Sequence, residues 1–365
     1  MVIQASGSAV PYAYNTTETM AAHHLRQRDI LLAHPEVKQL FGYEWKTKYL
    51  TVGLVAANLA IAAGVGLHSA AIPYWASFLV TYLIGTPINH ALIMVIHECS
   101  HNLCAATKAG NRAVALFANV PLGVWGGESF LRYHPDHHSY LGVLGRDLDV
   151  PTPIEIGFVG GSMLKKLIWR AGYLLMYGLR PTPSFWDMRR DAPRTAWEKF
   201  NVVFHLVFGV AFGRAFGWQS VAYLCMCTVF SFGFHPCAAH FSQDHVPMSK
   251  LGPHNKEGYP QETFSYYGWL NPIILNVGYH NEHHDIAKVP WTRLPQLRRM
   301  APEFHNGLQF HTTFWGGLFG FLLRRDVGPQ TRIVRTMEQY KVGMKKYTAG
   351  VRAVAKGEAA STKME

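Results

Sequence analysis

The chain has 365 residues, enough for one large domain or two ordinary ones, and carries a formal net charge of +11 and 20 histidines. Its cations flank apolar segments (Lys46, Lys48, Lys165, Lys166, Arg170, Arg324, Arg325) instead of forming a basic helix with interleaved aromatics. That distribution argues against nucleic acid and for an anionic membrane face. The five cysteines (Cys99, Cys104, Cys225, Cys227, Cys237) are odd in number and lack a C-x-x-C word, which excludes a disulfide framework.

The opening "MVIQASGSAVPYAYNTTETM" has no apolar h-region, so no signal peptide is expected. Val2 in place of glycine rules out N-myristoylation. Residues 1–48 are polar and read as a cytosolic segment, with a short helix in "TETMAAHHLRQRDILLAHPEVKQLFG". The sequon Asn15-Thr16-Thr17 is therefore expected to stay unglycosylated.

Residues 49–67, "YLTVGLVAANLAIAAGVGL", are uncharged and about the ~20 residues that cross a bilayer. A second uncharged run follows at 72–96, with Pro87 and Asn89 expected to kink or interrupt it, and delivers His97 to the membrane surface. Residues 107–128 and "SMLKKLIWRAGYLLMYGLRP" (162–181) read as helices in the interface plane, the latter with cations on one side and aromatics on the other. A second hairpin is expected at 200–213 and 218–235, each half short for a span. "FWGGLFGFLL", 314–323, is shorter still and reads as interfacial. The loop between the first two spans has no lysine or arginine, so the positive-inside rule puts both termini and the regions 97–199 and 236–340 in the cytosol. The expectation is an all-α integral membrane protein of about four transmembrane helices in two hairpins under a cytosolic helical cap. The main domain covers 49–340, and 341–365 is small, polar and expected to be disordered.

Four histidine groups sit in the cytosolic portions: His97 and His101 in "HECSH"; His134, His137 and His138 in "HPDHH"; His235 and His240 in "HPCAAH", at the end of the last span; and His280, His283 and His284 in "HNEHH". Residues three and four apart share a helix face, so each H-x-x-H-H word directs three imidazoles to one side. Two triplets and the first pair give eight nitrogen ligands, and His240 offers a ninth. His235, followed by Pro236, serves equally well as a helix end. A single zinc takes about four ligands, so eight or nine suit two metals with open positions. Imidazole alone accommodates zinc, copper, iron or nickel. His90, His205, His254 and His311 stand alone and read as interior histidines. Glu98, Asp136, Asp147, Asp149, Glu282 and Asp285 lie inside or near the boxes and could orient the ligating rings.

"INHALIMVIHECSHN", "YHPDHHSYLG", "GFHPCAAHF", "TFSYYGWLN" and "NVGYHNEHHDIAKVP" resemble the sphingolipid Δ4-desaturases, from about Arg28 to Arg335. The resemblance implies an endoplasmic-reticulum enzyme with two iron ions, O₂ as co-substrate, and electrons passed from NADH through cytochrome b5 and its reductase. It implies an N-acyl sphinganine (dihydroceramide) substrate and a trans Δ4 ceramide product. It assigns iron to His97, His101, His134, His137, His138, His280, His283 and His284, with His240 as the extra ligand from the last span. No fused H-P-G-G haem domain is present, so the electron donor is expected to be a separate protein.

Rival readings are a sphingolipid C4-hydroxylase or bifunctional enzyme, a fatty-acyl desaturase, and a metal-storing membrane protein. The H-E-x-x-H word also admits an intramembrane zinc protease with Glu98 as base. That reading leaves six box histidines unexplained and finds no aspartate in "NPII" at Asn271.

Overall fold

The computed structural model describes residues 15–17, 21–180, 194–247 and 260–355. His254 and residues 356–365 lie outside them. The described chain is mostly helical. In order come α1 (Ala22–Ala33), α2 (Thr47–Leu67), α3 (Tyr74–Val80), α4 (Thr86–Ser100), α5 (Lys108–Asn119) and α6 (Gly127–Ser139). Then follow α7 (Pro153–Val159), α8 (Met163–Ala171), α9 (Tyr173–Leu179), α10 (Ala196–Phe216) and α11 (Trp218–Phe232). The last are α12 (His280–Asp285), α13 (Leu294–Met300), α14 (Pro302–His305), α15 (Phe314–Leu323) and α16 (Met337–Ala355). Two short parallel pairs, Asn15–Thr16 with Ile333–Val334 and Ser265–Tyr266 with Phe310–His311, tie distant segments together.

Among the described residues, three helical stretches are long and apolar enough to cross a membrane: Thr47–Leu67, Tyr74–Ser100 and Ala196–Phe216. A fourth follows if Trp218–Phe232 and the 3₁₀ turn Pro236–Ser242, bent by 46°, count as one span. Lys46, Lys48, Trp45 and Tyr49 crowd the start of α2, with each ammonium over a neighbouring ring, as expected of a membrane–water boundary. α10 is longer than the 200–213 expected, because Thr195 and Glu198 form a capping box that starts the helix in polar sequence.

The second span is not broken at Pro87 or Asn89. A uniform α-helix would press the proline ring onto the carbonyl one turn earlier. The chain avoids this with a π turn at Thr81–Gly85, where the Thr86 N–H reaches back to the Thr81 carbonyl. Asn89 is an interior tie instead: its amide donates to Thr228 Oγ1 (2.8 Å) and its oxygen accepts from Asn58 (2.7 Å). Gly85 is required here, since a Cβ would meet the Tyr223 hydroxyl at 2.2 Å. α4 thus packs at the centre, against α2, α5, α6 and α11.

Residues 162–180 form two helices, with a break at Gly172, and cations and aromatics are not segregated to opposite sides as expected, since Lys166 and Arg170 are buried together with Trp169 and Tyr173. Lys166 and Arg170 are fully buried, whereas Leu164, Ile168 and Leu175 are exposed. Lys166 Nζ closes the C-terminus of α15 by donating to the carbonyls of Phe321, Arg324 and Val327. The exposed side carries these apolar residues together with Lys165, and Lys166 and Arg170 serve the interior. Residues 341–355, expected to be disordered, continue α16 as a helix. Thr336 starts it, accepting from the Gln339 N–H while Gln339 returns a bond to the Thr336 N–H.

Candidate metal centre

α4 ends at Ser100 because Asn102 adopts a left-handed conformation (φ 63°), which asparagine tolerates. His97 sits in the last turn and His101 on the cap. α6 carries His134, His137 and His138. The six-residue α12 is set by an unusual turn before it. Leu275 and Asn276 both have positive φ, and Asn271 bridges the turn by accepting from Gly278 N and donating to the Tyr266 carbonyl. A Cβ on Gly278 would clash with that asparagine at 2.3 Å.

These elements converge on two adjoining groups. Ligand atoms of His97, His101, His134, His138 and His283 lie within 4.8 Å of one another, and so do those of His137, His245 and His284. His280 joins the second group, with its Nε2 2.9 Å from His245 Nε2. Each H-x-x-H-H word is therefore divided. His134 and His138 serve one group and His137 the other; His283 serves one, His280 and His284 the other.

The donor set fits metal ions. Neighbouring imidazole nitrogens stand at 3.1 Å for His134–His138, His138–His283 and His137–His245. Two nitrogens each ~2.1 Å from one metal and at right angles are ~3 Å apart. His101 Nε2 and both ring nitrogens of His284 are buried with no hydrogen-bond partner, which is costly unless a ligand occupies them. Burial holds His101, His134, His138, His245, His280, His283 and His284 well below the usual imidazole range, so they are neutral and ready to bind. His137 differs. Burial lowers it, but the carboxylates of Asp147 and Asp149 outweigh that and raise it.

The six acidic candidates separate sharply. Asp147 lies 2.9 Å from His137 Nδ1 and is itself held by Gly142 N and Arg332. Asp149 reaches the same nitrogen at 3.5 Å and accepts from the Tyr177 hydroxyl. Glu98 comes only within 3.8 Å of His97 Nδ1, and accepts from the Trp291 N–H. Glu282 accepts from Ser265 and Tyr267, Asp285 pairs with Arg26 and His305, and Asp136 pairs with Arg146. These last three have these pairs in the scaffold around the boxes.

His240 lies in neither group. Its Nδ1 meets Asp244 at 2.7 Å. His245, which sequence reading missed, stands in the second group. Asp244 was missed too; it stands 3.7 Å from His280 Nδ1. The only signal for His245 was its five-residue offset from His240, which fits no helix face. His235 starts the 3₁₀ turn by accepting from Cys237 N, whereas the helix before it ends earlier, at Phe232. Of the lone histidines, His205 is bonded at both nitrogens to the carbonyls of Asn201 and Asn119, as expected of an interior residue. His90 and His311 each keep a buried, unpartnered Nε2.

Comparison with known proteins agrees with this geometry. The fatty acid desaturase family model matches residues 73–315, and a model described as Sphingolipid Delta4-desaturase matches residues 12–46. A sphingolipid delta(4)-desaturase of Candida albicans is 38% identical over 321 residues, covering 85% of this chain and 84% of the relative. One of Schizosaccharomyces pombe is 36% identical over 334 residues, 90% of each chain. A sphingolipid delta(4)-desaturase/C4-monooxygenase of Homo sapiens is 34% identical over 325 residues, 88% of this chain and 94% of the relative.

Proposed function

The chain belongs to the fatty acid desaturase family, and on that premise we propose that it is a sphingolipid Δ4-desaturase, an oxidoreductase that converts N-acyl sphinganine into its trans Δ4 ceramide. The observation that carries the reading is the pair of buried imidazole groups, seated beside apolar helices and matched to relatives that bear this name. One iron would be held by His97, His101, His134, His138 and His283, the other by His137, His245, His280 and His284. Iron bound there supplies the O₂-derived oxidant that an unactivated methylene requires, since acid–base side chains cannot remove such a hydrogen.

The balance consumes one O₂, two electrons and two protons, and releases the alkene and two waters. The chain's own part is placement. Asp147 accepts a hydrogen bond from His137 Nδ1–H, which fixes the tautomer and leaves Nε2 for metal. Arg26 and His305 grip Asp285, fixing α12 and with it His280, His283 and His284. The apolar surfaces of α2, α4 and α11 offer a dry path for an alkyl chain. Electrons come from NADH through cytochrome b5, at an endoplasmic-reticulum membrane, with both termini and the boxes cytosolic.

A C4-hydroxylase or bifunctional activity is the second reading, favoured by the C4-monooxygenase in the name of the human relative. A protease role for Glu98 has less support, because its carboxylate is engaged by the Trp291 backbone. Membranes containing the protein should convert labelled N-acyl sphinganine, with NADH and O₂, into Δ4 ceramide. Phytoceramide as the sole product would transfer the assignment to the hydroxylase, and an unsaturated acyl chain would transfer it to a fatty-acyl desaturase.

A further inference from the structure

A Δ4 reaction imposes a condition that a desaturation in mid-chain does not. The reacting C4 is bonded to C3, which carries a hydroxyl, and the amide is one carbon further. Polar partners for that head must therefore stand beside the metal centre, within an otherwise apolar interior.

Unpartnered polar groups occur at such a place. His90 lies on α4 seven residues before His97, ~10 Å along the helix. It is fully buried, and its Nδ1 faces the Ser231 carbonyl at 3.2 Å, so Nδ1 carries the proton and Nε2 is a free acceptor. The His240 ring is 5.0 Å away, with Nδ1 engaged by Asp244 and Nε2 unpartnered. Asp244 joins this pair to the metal centre through His280, 3.7 Å away. Arg170 is the third member. Its Nη2 donates to the Gly233 and Ala238 carbonyls at the bend before His240, while Nε and Nη1 are buried without acceptors. It rests over Tyr173, which packs on Phe241 beside His240.

Buried polar atoms of this kind are rarely left open, and each costs stability unless something fills it. A hydroxyl both donates and accepts, so it satisfies His90 and meets His240 in either tautomer. An amide oxygen satisfies Arg170. We propose that His90, His240 and Arg170 form the binding site for the polar head of the sphingoid lipid, the two histidines holding the 3-hydroxyl and Arg170 the amide oxygen. This rests on the Δ4-desaturase reading for the identity of the lipid. It makes His240 a substrate-binding residue and not an iron ligand.

The test compares N-acyl sphinganine with its 3-deoxy analogue in wild type, His90→Leu, His90→Gln and His240→Gln, with metal per chain measured on each. Wild type should prefer the hydroxylated lipid by about 100-fold in kcat/KM, because a site built for a hydroxyl rejects an analogue lacking it. His90→Leu should lose about 10–100-fold on the native lipid but less than about 3-fold on the analogue. His90→Gln, which places an amide oxygen near the old Nε2, should recover part of the preference. All variants should keep wild-type metal. Equal losses on both lipids, or metal lost from His240→Gln, would overturn the proposal. The same lipids are also titrated against the full-length, metal-loaded chain in detergent. If wild type forms no Δ4 ceramide, the functional reading fails by itself. The binding preference, present in wild type and absent in His90→Leu, then decides the polar-head site; its absence in wild type rejects it.

Discussion

The five-histidine group is closed by imidazoles alone, whereas the group around His137, His245 and His284 leans on acid. Asp147 and Asp149 face His137, and Asp244 stands near His280. In the first group the nearest carboxylate, Glu98, stays 3.8 Å from His97 Nδ1, whereas in the second group His137 has two carboxylates at its far nitrogen. Histidine that donates to a carboxylate is the more basic ligand and is fixed in one tautomer. The second half should therefore hold its iron more tightly, and the first should be the half that exchanges or loses metal.

The largest effects come from removing ligands. His101→Gln and His245→Ala should each lower iron from about two per chain to about one and abolish desaturation. On chelator titration of wild type, the iron lost first should be the one missing from His101→Gln. If His245→Ala keeps two irons and activity, the second group is not a metal site. Asp147→Asn should cost about 10–100-fold in metal affinity or activity, confined to the second half. Asp285→Asn, by contrast, leaves Arg26 buried without its partner, and should cost about 3–5 kcal/mol of stability while the remaining folded protein binds iron normally. A metal defect in Asp285→Asn exceeding that in Asp147→Asn would reverse the two roles.

The third effect is a difference of sign. In the metal-free chain, burial keeps His101, His134, His138 and His283 well below 6.5, the value they regain on unfolding. As pH falls through 6.5 the unfolded chain takes protons that the folded chain refuses, so stability declines. His137 is raised, against burial, by Asp147 and Asp149. Its contribution is complete below 6.5 and is lost as pH rises through its folded value. Wild-type apoprotein should lose melting temperature from pH 7.5 to 5.5, and His137→Gln should steepen that loss; an unchanged slope would mean that the carboxylates leave His137 neutral. The smallest effect is expected of Glu98→Gln. The amide oxygen still accepts from Trp291 N, so turnover should fall less than 10-fold with both irons kept. Abolished turnover with both irons retained would give Glu98 a direct chemical role.

The boxes were legible because H-x-x-H-H spacing depends only on helix geometry. The division of each box between two groups was not, since it depends on how α6 and α12 face each other. Sequence neighbours proved poor guides to ring partners. Glu98 adjoins His97 and Glu282 adjoins His283, but adjacent residues on a helix point about 100° apart, so both carboxylates are turned toward other partners. Asp147 was within reach because the chain doubles back through Gly142, whose φ of 71° permits the turn. His245 gave no periodic signal, since it follows the 3₁₀ turn and meets its companions only in three dimensions. The apolar stretches were legible from hydropathy, but the ends of α10 and the inward cations of α8 were not. Amphipathicity shows that a helix has two faces and leaves open which one meets lipid.

The π turn at Thr81–Gly85 has a consequence for how α4 could have arisen and how it can change. A π turn holds one residue more than an α turn, so everything beyond it is rotated by about 100° relative to an uninterrupted helix. His90, Glu98, His97 and His101 owe their compass bearing to that single additional residue. Deleting one residue from Thr81–Gly85 would leave the span apolar, of nearly unchanged length and still able to cross a bilayer, yet would swing the first box away from α6 and α12. Pro87 opposes that reversion, because a regular helix has no room for its ring. The proline acts as a ratchet pawl on the helix phase, and the first histidine box is aimed by a residue more than two turns away from it.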